Sequence, residues 1–223
     1  MQAPETIKLQ GGALSLDFAN SADWTQAGDA IEDALVEPDS LIRWGRRVGV
    51  LARGVDAAAG GVEAPGVDAA AGGVEARGVD AAAGSIEAAG GVAAELAAAR
   101  ELRPVLRAVL IAAAHGETPD PAARDLLMRT YADAVAAAHL APRDGAHVLD
   151  WPDDEPRKVR FAVTADAIAL LADADRLARV HVCPGRNCGW LFLNKSGRQR
   201  WCSMATCGSR AKMRAMYARR QAA

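Results

Sequence analysis

Four cysteines in the last fifth of the chain constrain its folding more than any other feature. They form two pairs with four-residue gaps, Cys183 with Cys188 and Cys202 with Cys207, and thirteen residues separate the pairs; the 223 residues include no other cysteine. This spacing lets each pair bend around one side of a metal ion while the spacer brings the pairs together. It predicts one structural Zn²⁺ ion held by four thiolates, with no position left for water or a substrate.

Two disulfides, or four unrelated thiols, are the alternatives for these cysteines. Residues 1–10 have neither a basic start nor an apolar stretch, so we expect no secretory signal and no oxidising compartment. No apolar run approaches the roughly 20 residues that cross a bilayer. These features favour zinc and predict a soluble, cytoplasmic protein without a membrane partner. His181 is an alternative ligand, but a complete set of four thiolates favours reading it as an ordinary strand residue.

Charge is distributed very unevenly along the chain, although the net charge is only −2. From residue 181 onwards there are nine Lys and Arg residues and no Asp or Glu, whereas the rest of the chain holds 17 Lys and Arg against all 28 acids. Because Zn²⁺ with four thiolates contributes −2, the folded C-terminal segment would carry about +7. The sequence therefore predicts a basic binding module attached to an acidic body.

The predicted body spans residues 1–178, and its patterns indicate an α+β domain that is mainly helical. Residues 54–89 within it are an Ala- and Gly-rich repeat with a period of 12. This period is shorter than that of solenoid repeats, and glycine weakens helices. We interpret the repeat as a mobile surface insertion, with an interrupted helix as the alternative.

Helix signals occur at four places in the body, and three of them lie before residue 140. Ser40 is predicted to cap a helix over residues 41–51, since Ser is a good N-cap. A second helix covers residues 102–113, with Pro104 either in its first turn or at a kink. Asp120 followed by Pro121 predicts the start of a third helix.

Strand signals are weaker. Residues 11–20 begin as a short apolar alternation and end near a polar turn. Residues 147–151 and 157–163 are predicted as two short strands, residues 141–145 as a loop, and Thr164 as the cap of the following helix.

The C-terminal segment, residues 179–223, is predicted to be a small treble-clef-like zinc finger. Apolar residues at 189–193 and 200–201 flank a Ser-Gly turn and predict a β-hairpin. Ser203 is predicted to cap a helix that runs to about residue 220 and contributes Cys207 from its first turn. About 40 residues bury too little surface to fold without the metal, so loss of one cysteine should unfold the finger.

From residue 181 onwards, arginine outnumbers lysine seven to two. Guanidinium groups match phosphate oxygens and guanine edges, so the basic helix and the adjoining hairpin predict a DNA-binding surface. The predicted contact residues are Arg198, Arg200, Arg210, Lys212 and Arg214, and Arg210 and Arg214 share one helix face with Met213 and Tyr217. The alternatives are a solvated cationic face, or a protein-interaction module whose basic finger docks on the acidic body or an acidic partner. RNA stacking on Trp190 and Trp201 is a weaker variant, because such residues more often pack around the metal.

We expect no enzymatic activity, because the sequence has no Gly-rich phosphate loop, activated serine or pair of histidine metal ligands. Asp17 is a candidate ligand contact, although a turn hydrogen bond is the favoured role. A homodimer formed through the body and a small-molecule effector are both compatible with the sequence, which does not choose between them. Oxidation that ejects zinc and releases DNA is a further hypothesis.

Two segments of the chain resemble known families. The cysteine region, which ends in Cys207-Gly-Ser-Arg210, resembles the CGNR zinc finger, named for Cys-Gly-Asn-Arg; Ser209 replaces the Asn. The run Gly-Gly-Ala-Leu-Ser-Leu-Asp-Phe-Ala-Asn at residues 11–20 is similar to the start of the ABATE domain, which usually precedes that finger. Because the family is described as proposed stress-induced transcription regulators, the resemblance implies zinc binding and DNA binding in a stress response.

Overall fold

The structure is a computed structural model that describes residues 3–52 and 91–221. The repeat at residues 54–89 lies outside the described residues, so its interpretation stays a prediction. The helices are α1 (Leu14–Ala19), α2 (Ser40–Arg47), α3 (Gly91–Ala114), α4 (Pro121–Ala137), α5 (Lys158–Ala172), α6 (Ala174–Leu177) and α7 (Ser209–Gln221). The strands are β1 (Ala22–Trp24), β2 (Ala30–Asp33), β3 (His139–Arg143), β4 (Ala146–Asp150), β5 (Val180–Val182) and β6 (Leu191–Leu193). The strands pair consecutively into three two-stranded antiparallel sheets, which confirms the mainly helical α+β class.

The body core forms around α1, which packs against α3 and α5. Leu16 and Phe18 are completely buried, and the Phe18 ring lies edge-on to Trp44 of α2 with a centroid separation of 5.5 Å. Helix α3 supplies a buried stripe that includes Leu102 and Leu106. The apolar alternation at the start of residues 11–20 does not mark a strand, because residues 14–19 form helix α1. None of the helices within the described ranges is both long enough and apolar enough to cross a membrane.

Two of the three helix starts before residue 140 differ from the prediction. Asp120 caps α4 as predicted, and its carboxylate accepts a hydrogen bond of 3.0 Å from the backbone N–H of Ala123. Ser40, in contrast, is the first residue of α2, and Asp39 occupies the N-cap position. Pro104 lies in the middle of the 24-residue helix α3 rather than in its first turn. The helix tolerates the proline, although one backbone hydrogen bond is lost, because its buried stripe continues on both sides of that residue.

The predicted strand at residues 157–163 is wrong, because these residues begin α5. Strand β4 pairs instead with β3 across a turn at Asp144 and Gly145, whose φ values are 51° and 79°. Asp-Gly favours such left-handed two-residue turns. Because the turn needs only these two residues, residues 141–143 of the predicted loop belong to strand β3. Thr164 lies inside α5, where its hydroxyl donates to the Arg160 carbonyl at 2.8 Å instead of capping the helix.

Candidate metal centre

The first cysteine pair lies at the turn of the β5–β6 hairpin. The backbone N–H of Cys183 donates to the Trp190 carbonyl at 2.8 Å, and that of Cys188 donates to the Gly185 carbonyl at 2.9 Å. Asn187 adopts a left-handed backbone with φ of 55°, which closes the turn before Cys188. The predicted hairpin between residues 189–193 and 200–201 is therefore wrong, since β6 pairs with β5 and residues 200–201 form no strand.

The second pair lies just before the terminal helix. Cys207 belongs to a π-helical turn, Met204–Gly208, that leads directly into α7. The turn is closed by the backbone N–H of Gly208, which donates to the Ser203 carbonyl at 3.0 Å. Ser203 occupies the cap position, but its side chain makes no capping hydrogen bond. Helix α7 starts later than expected because the wider π turn presents Cys207 to the other sulfurs.

The four sulfur atoms lie within 4.8 Å of one another. The Sγ atom of Cys202 is 3.7 Å from that of Cys188 and 3.8 Å from that of Cys207. A tetrahedral zinc site with Zn–S bonds near 2.3 Å requires sulfur separations of about 3.8 Å. A disulfide requires about 2.05 Å, and all four cysteines are free. The arrangement fits one tetrahedral metal ion rather than the two disulfides.

The backbone of residues near the cysteines packs closely against the sulfur atoms. A Cβ atom on Gly185 would lie only 2.9 Å from the Sγ atom of Cys207. The backbone N–H of Cys202 points to the Sγ atom of Cys183 at 3.4 Å, which suits a charged sulfur acceptor. Three of the cysteines are buried, and Cys188 is partly exposed.

Hydrogen bonds among the thiols separate their pKa values. Bonds from Cys188 and Cys202 lower the pKa of Cys183 to about 2. The same bond to Cys183 raises the pKa of the donor Cys188 to about 12, and the pKa of Cys202 is also raised, chiefly by its bond to Cys183. Because a metal ion binds thiolates and not thiols, binding of a cation would release the protons that the thiols carry.

Aromatic residues surround the cysteines and form a small finger core. Trp190 and Phe192 are buried against Cys183, and Trp201 packs beside them. The indole N–H of Trp190 donates to Asp23 of the body at 2.7 Å. His181 is exposed on β5 and faces the ring of Phe192, with the centroids 5.8 Å apart. The tryptophans therefore pack around the cysteines, and His181 lies outside the sulfur cluster, as the sequence led us to expect.

The same hairpin is joined to the body by hydrogen bonds along its outer edge. The side-chain amide of Asn20 donates to the Leu191 carbonyl at 2.7 Å and accepts from the Leu191 N–H at 2.9 Å. Further along the edge, the N–H of Leu193 donates to the Gly11 carbonyl at 2.7 Å. Leu191 and Leu193 also belong to the body core. Sequence reasoning missed Asn20, since nothing local marks a residue whose partner is 171 positions away.

In the part of the chain that the structure describes, the basic side chains of the finger make no ion pairs with the body. Within residues 3–52 and 91–221, none of the finger's Lys or Arg side chains lies within ion-pair distance of a carboxylate. The finger docks on the acidic body through backbone, amide and apolar contacts, and through hydrogen bonds that join Trp190 to Asp23 and Gly189 to Arg107. The opposite charges of the two parts therefore do not explain this contact.

The predicted nucleic-acid residues lie in two places. Arg210 and Arg214 line one shallow groove on α7 together with Met213 and Tyr217. Lys212 is also exposed on α7, and Arg198 and Arg200 are exposed on the loop after β6, not on a hairpin strand. Their role as nucleic-acid contacts stays a prediction.

The remaining sequence candidates have structural roles. Asp17 accepts a hydrogen bond of 2.7 Å from the backbone N–H of Gly11, which is the expected turn contact. Ser209, which replaces the family Asn, donates its hydroxyl to the Met204 carbonyl at 2.9 Å. This side chain fixes the turn that follows Cys207.

Comparison with protein families agrees with this architecture. The model for ABATE, described as "Putative stress-induced transcription regulator", matches residues 12–174. The chain belongs to the ABATE family. In this ABATE protein the CGNR zinc finger model matches residues 179–220, so both resemblances seen in the sequence are confirmed. No curated protein matches the chain.

Proposed function

We propose that this ABATE protein is a transcription regulator that holds one structural Zn²⁺ ion and binds duplex DNA through its finger. Four thiolates leave no open coordination position, which supports a binding protein rather than an enzyme. Four free thiols also suit the reducing cytoplasm.

The observation that carries the proposal is the exposed, basic helix α7. Its 13 residues include none that is buried. A helix of this length is marginal in water by itself, so an anchor at the metal centre and a partner along its sides would both stabilise it. The major groove of DNA admits an α-helix, and phosphates attract a surface that carries cations and no acids.

The two basic regions suggest different contacts. Arg210 and Arg214 share one groove on the surface of α7. From this position they are suited to contact base edges in the major groove of DNA, or the phosphates that flank it. Arg198 and Arg200 extend from a loop, which suits contacts to the sugar-phosphate backbone. The hydroxyl of Ser209 is used within the protein, so we do not propose that it reads a base.

A protein-interaction function is the second candidate, and the exposed apolar residues near α7 favour it. Met204, Met213 and Tyr217 are 51%, 47% and 55% exposed, and Met213 and Tyr217 share the groove with the two arginines. An acidic amphipathic segment of another protein would match both the charge and the apolar surface.

A salt titration of DNA affinity distinguishes the two candidates. Zinc-loaded Arg210→Ala and Arg214→Ala should bind duplex DNA more weakly, and each should reduce the slope of log K against log salt by about 1. Arg129→Ala is the matched control, since Arg129 is exposed on α4 of the body. Absence of duplex binding by the zinc-loaded wild type at low salt would overturn the DNA proposal and favour the protein partner.

A further inference from the structure

A buried arginine lies where the body meets the first cysteine pair. Arg107 of α3 is 7% exposed, and its Nη2 atom donates to the Gly189 carbonyl at 2.8 Å. Its guanidinium carbon lies 4.9 Å from the centroid of the Trp24 ring, in a cation–π contact. Gly189 directly follows Cys188, so this guanidinium holds the backbone next to a candidate metal ligand.

The surroundings of Arg107 differ from those of the other buried cations in the described part of the chain. Arg103 donates to Asp33 at 2.8 Å, and Lys158 donates to Asp153 at 2.9 Å. For Arg107, the described residues provide no carboxylate within 4.0 Å. Burial accordingly lowers the pKa of Arg107. A buried charge without a partner lowers the free energy of unfolding, so a negative group beyond ion-pair distance would still stabilise the charged guanidinium of Arg107.

The cysteine cluster can supply that negative charge. Trp24, which lies under the guanidinium, lines a crevice together with Cys188, Cys202 and Cys207. The other charged side chains that line this crevice are Asp23, Lys8 and Arg210, so their charges sum to +1 and the thiolates are the larger source of negative charge. Four thiolates around Zn²⁺ carry a net charge of −2. Gly189 permits the close approach, because a Cβ atom there would lie 2.8 Å from Nη2 of Arg107.

We propose that Arg107 is a positioning residue for the metal centre, which holds the backbone after Cys188 and supplies a buried positive charge to the thiolate cluster. The inference rests on the zinc assignment proposed above. The body is then part of the metal site, since Arg107 of α3 binds the backbone carbonyl next to the ligand Cys188. Such outer partners of a metal site typically contribute 10–100-fold to metal affinity.

The test is a competition titration of zinc against a chromophoric chelator, using the full chain. Arg107→Gln removes the charge and should weaken zinc binding by about 10–100-fold. Arg107→Lys keeps the charge without the planar fork, so its loss should be smaller. Lys158→Gln is the control, because it removes an equally buried cation near Trp151, away from the finger; it should lower the unfolding temperature but leave zinc affinity unchanged.

Each outcome has a distinct meaning. If the wild type binds no zinc, the proposed function fails. If the wild type binds zinc and Arg107→Gln binds within about threefold of it, or if Lys158→Gln weakens binding equally, the role of Arg107 is overturned.

A second measurement needs no variant. By NMR of the wild type, guanidinium proton exchange at Arg107 should be at least tenfold slower with zinc than after chelation, while Arg103, held by Asp33, should not change. Equal exchange at Arg107 in both states would also overturn the proposal.

Discussion

Asn20 offers the sharpest test of how the finger is joined to the body. Its side chain is 1% exposed and makes two hydrogen bonds to the backbone of Leu191, which is itself fully buried. The change Asn20→Ala would leave one N–H and one C=O group of β6 buried without a partner. Each such group costs roughly 1–3 kcal/mol, so we expect a loss of about 2–6 kcal/mol in the free energy of unfolding. This is a large part of the total stability of an ordinary domain.

The assay is urea unfolding of the zinc-loaded full chain, followed by tryptophan fluorescence. With an m value of about 2–3 kcal/mol/M, a loss near 3 kcal/mol lowers the midpoint by about 1–1.5 M. Asn194→Ala is the matched control, because Asn194 is also buried but its side-chain oxygen accepts one bond, from the Gln199 N–H at 3.1 Å. It should cost about 1 kcal/mol. Equal effects of the two substitutions would refute the claim that Asn20 satisfies two buried backbone groups of β6.

Three further predictions concern Gly185, Asp17 and removal of the metal. Gly185→Ala should weaken zinc binding at least tenfold in a chelator competition, because its Cβ atom would lie 2.9 Å from the Sγ atom of Cys207; an unchanged affinity would contradict the close-packing argument. Burial raises the pKa of Asp17 from 3.8 to about 6, so its stabilising contribution is present below pH 4 and is lost as the pH rises through 6, by about 3 kcal/mol in total. Asp17→Asn, which can still accept from the Gly11 N–H, should show a smaller fall in urea midpoint between pH 5 and pH 8 than the wild type, and an identical fall would rule out this titration. Removal of zinc should increase hydrogen exchange at the amides of β5 and β6 but not at those of β3 and β4; uniform loss of protection would show that the body does not fold without the metal.

The metal centre was the part most accessible from sequence, because its geometry is encoded locally. Four-residue gaps between cysteines are short enough that each pair must turn around a common point. The Asp120-Pro121 start of α4 is likewise local, since the carboxylate reaches an N–H only three residues ahead. Such features depend on chain geometry over a few residues and are little affected by the rest of the fold.

The sequence predicted the wrong element where a helix is buried on several sides, because its apolar residues then do not repeat with the spacing of one helix face. Residues 157–163 place large apolar side chains at every second position, Val159, Phe161 and Val163, which suggests a strand, yet α5 buries these three and Lys158 as well. A helix buried on several sides shows no clear amphipathic period. The pairing of β6 with β5 was missed because the Ser-Gly turn favoured residues 200–201 as the partner, whereas β6 pairs with the strand that precedes the first cysteine pair.

The polar residues that join the two parts could not be found from one sequence. Arg107 and Gly189 are 82 residues apart, and in the sequence Arg107 is simply one of several arginines on a helical pattern. Its importance arises only when the fold places it beside a carbonyl and removes it from water. A charge with no local partner becomes informative only once burial is known.

The hairpin β5–β6 explains why the family boundary near residue 179 is not a physical boundary. Because side chains alternate along a strand, Leu191 and Leu193 enter the body core while Phe192 enters the finger core. Zinc binding and folding of the body therefore stabilise the same strand, and each should increase the stability of the other. A ligand or second subunit that shifted α1 or α3 would act directly on Asn20 and Arg107, and through them on the sulfur cluster and α7. Any displacement of α1 or α3 would by this route change the finger, even if its cause lay entirely within the body.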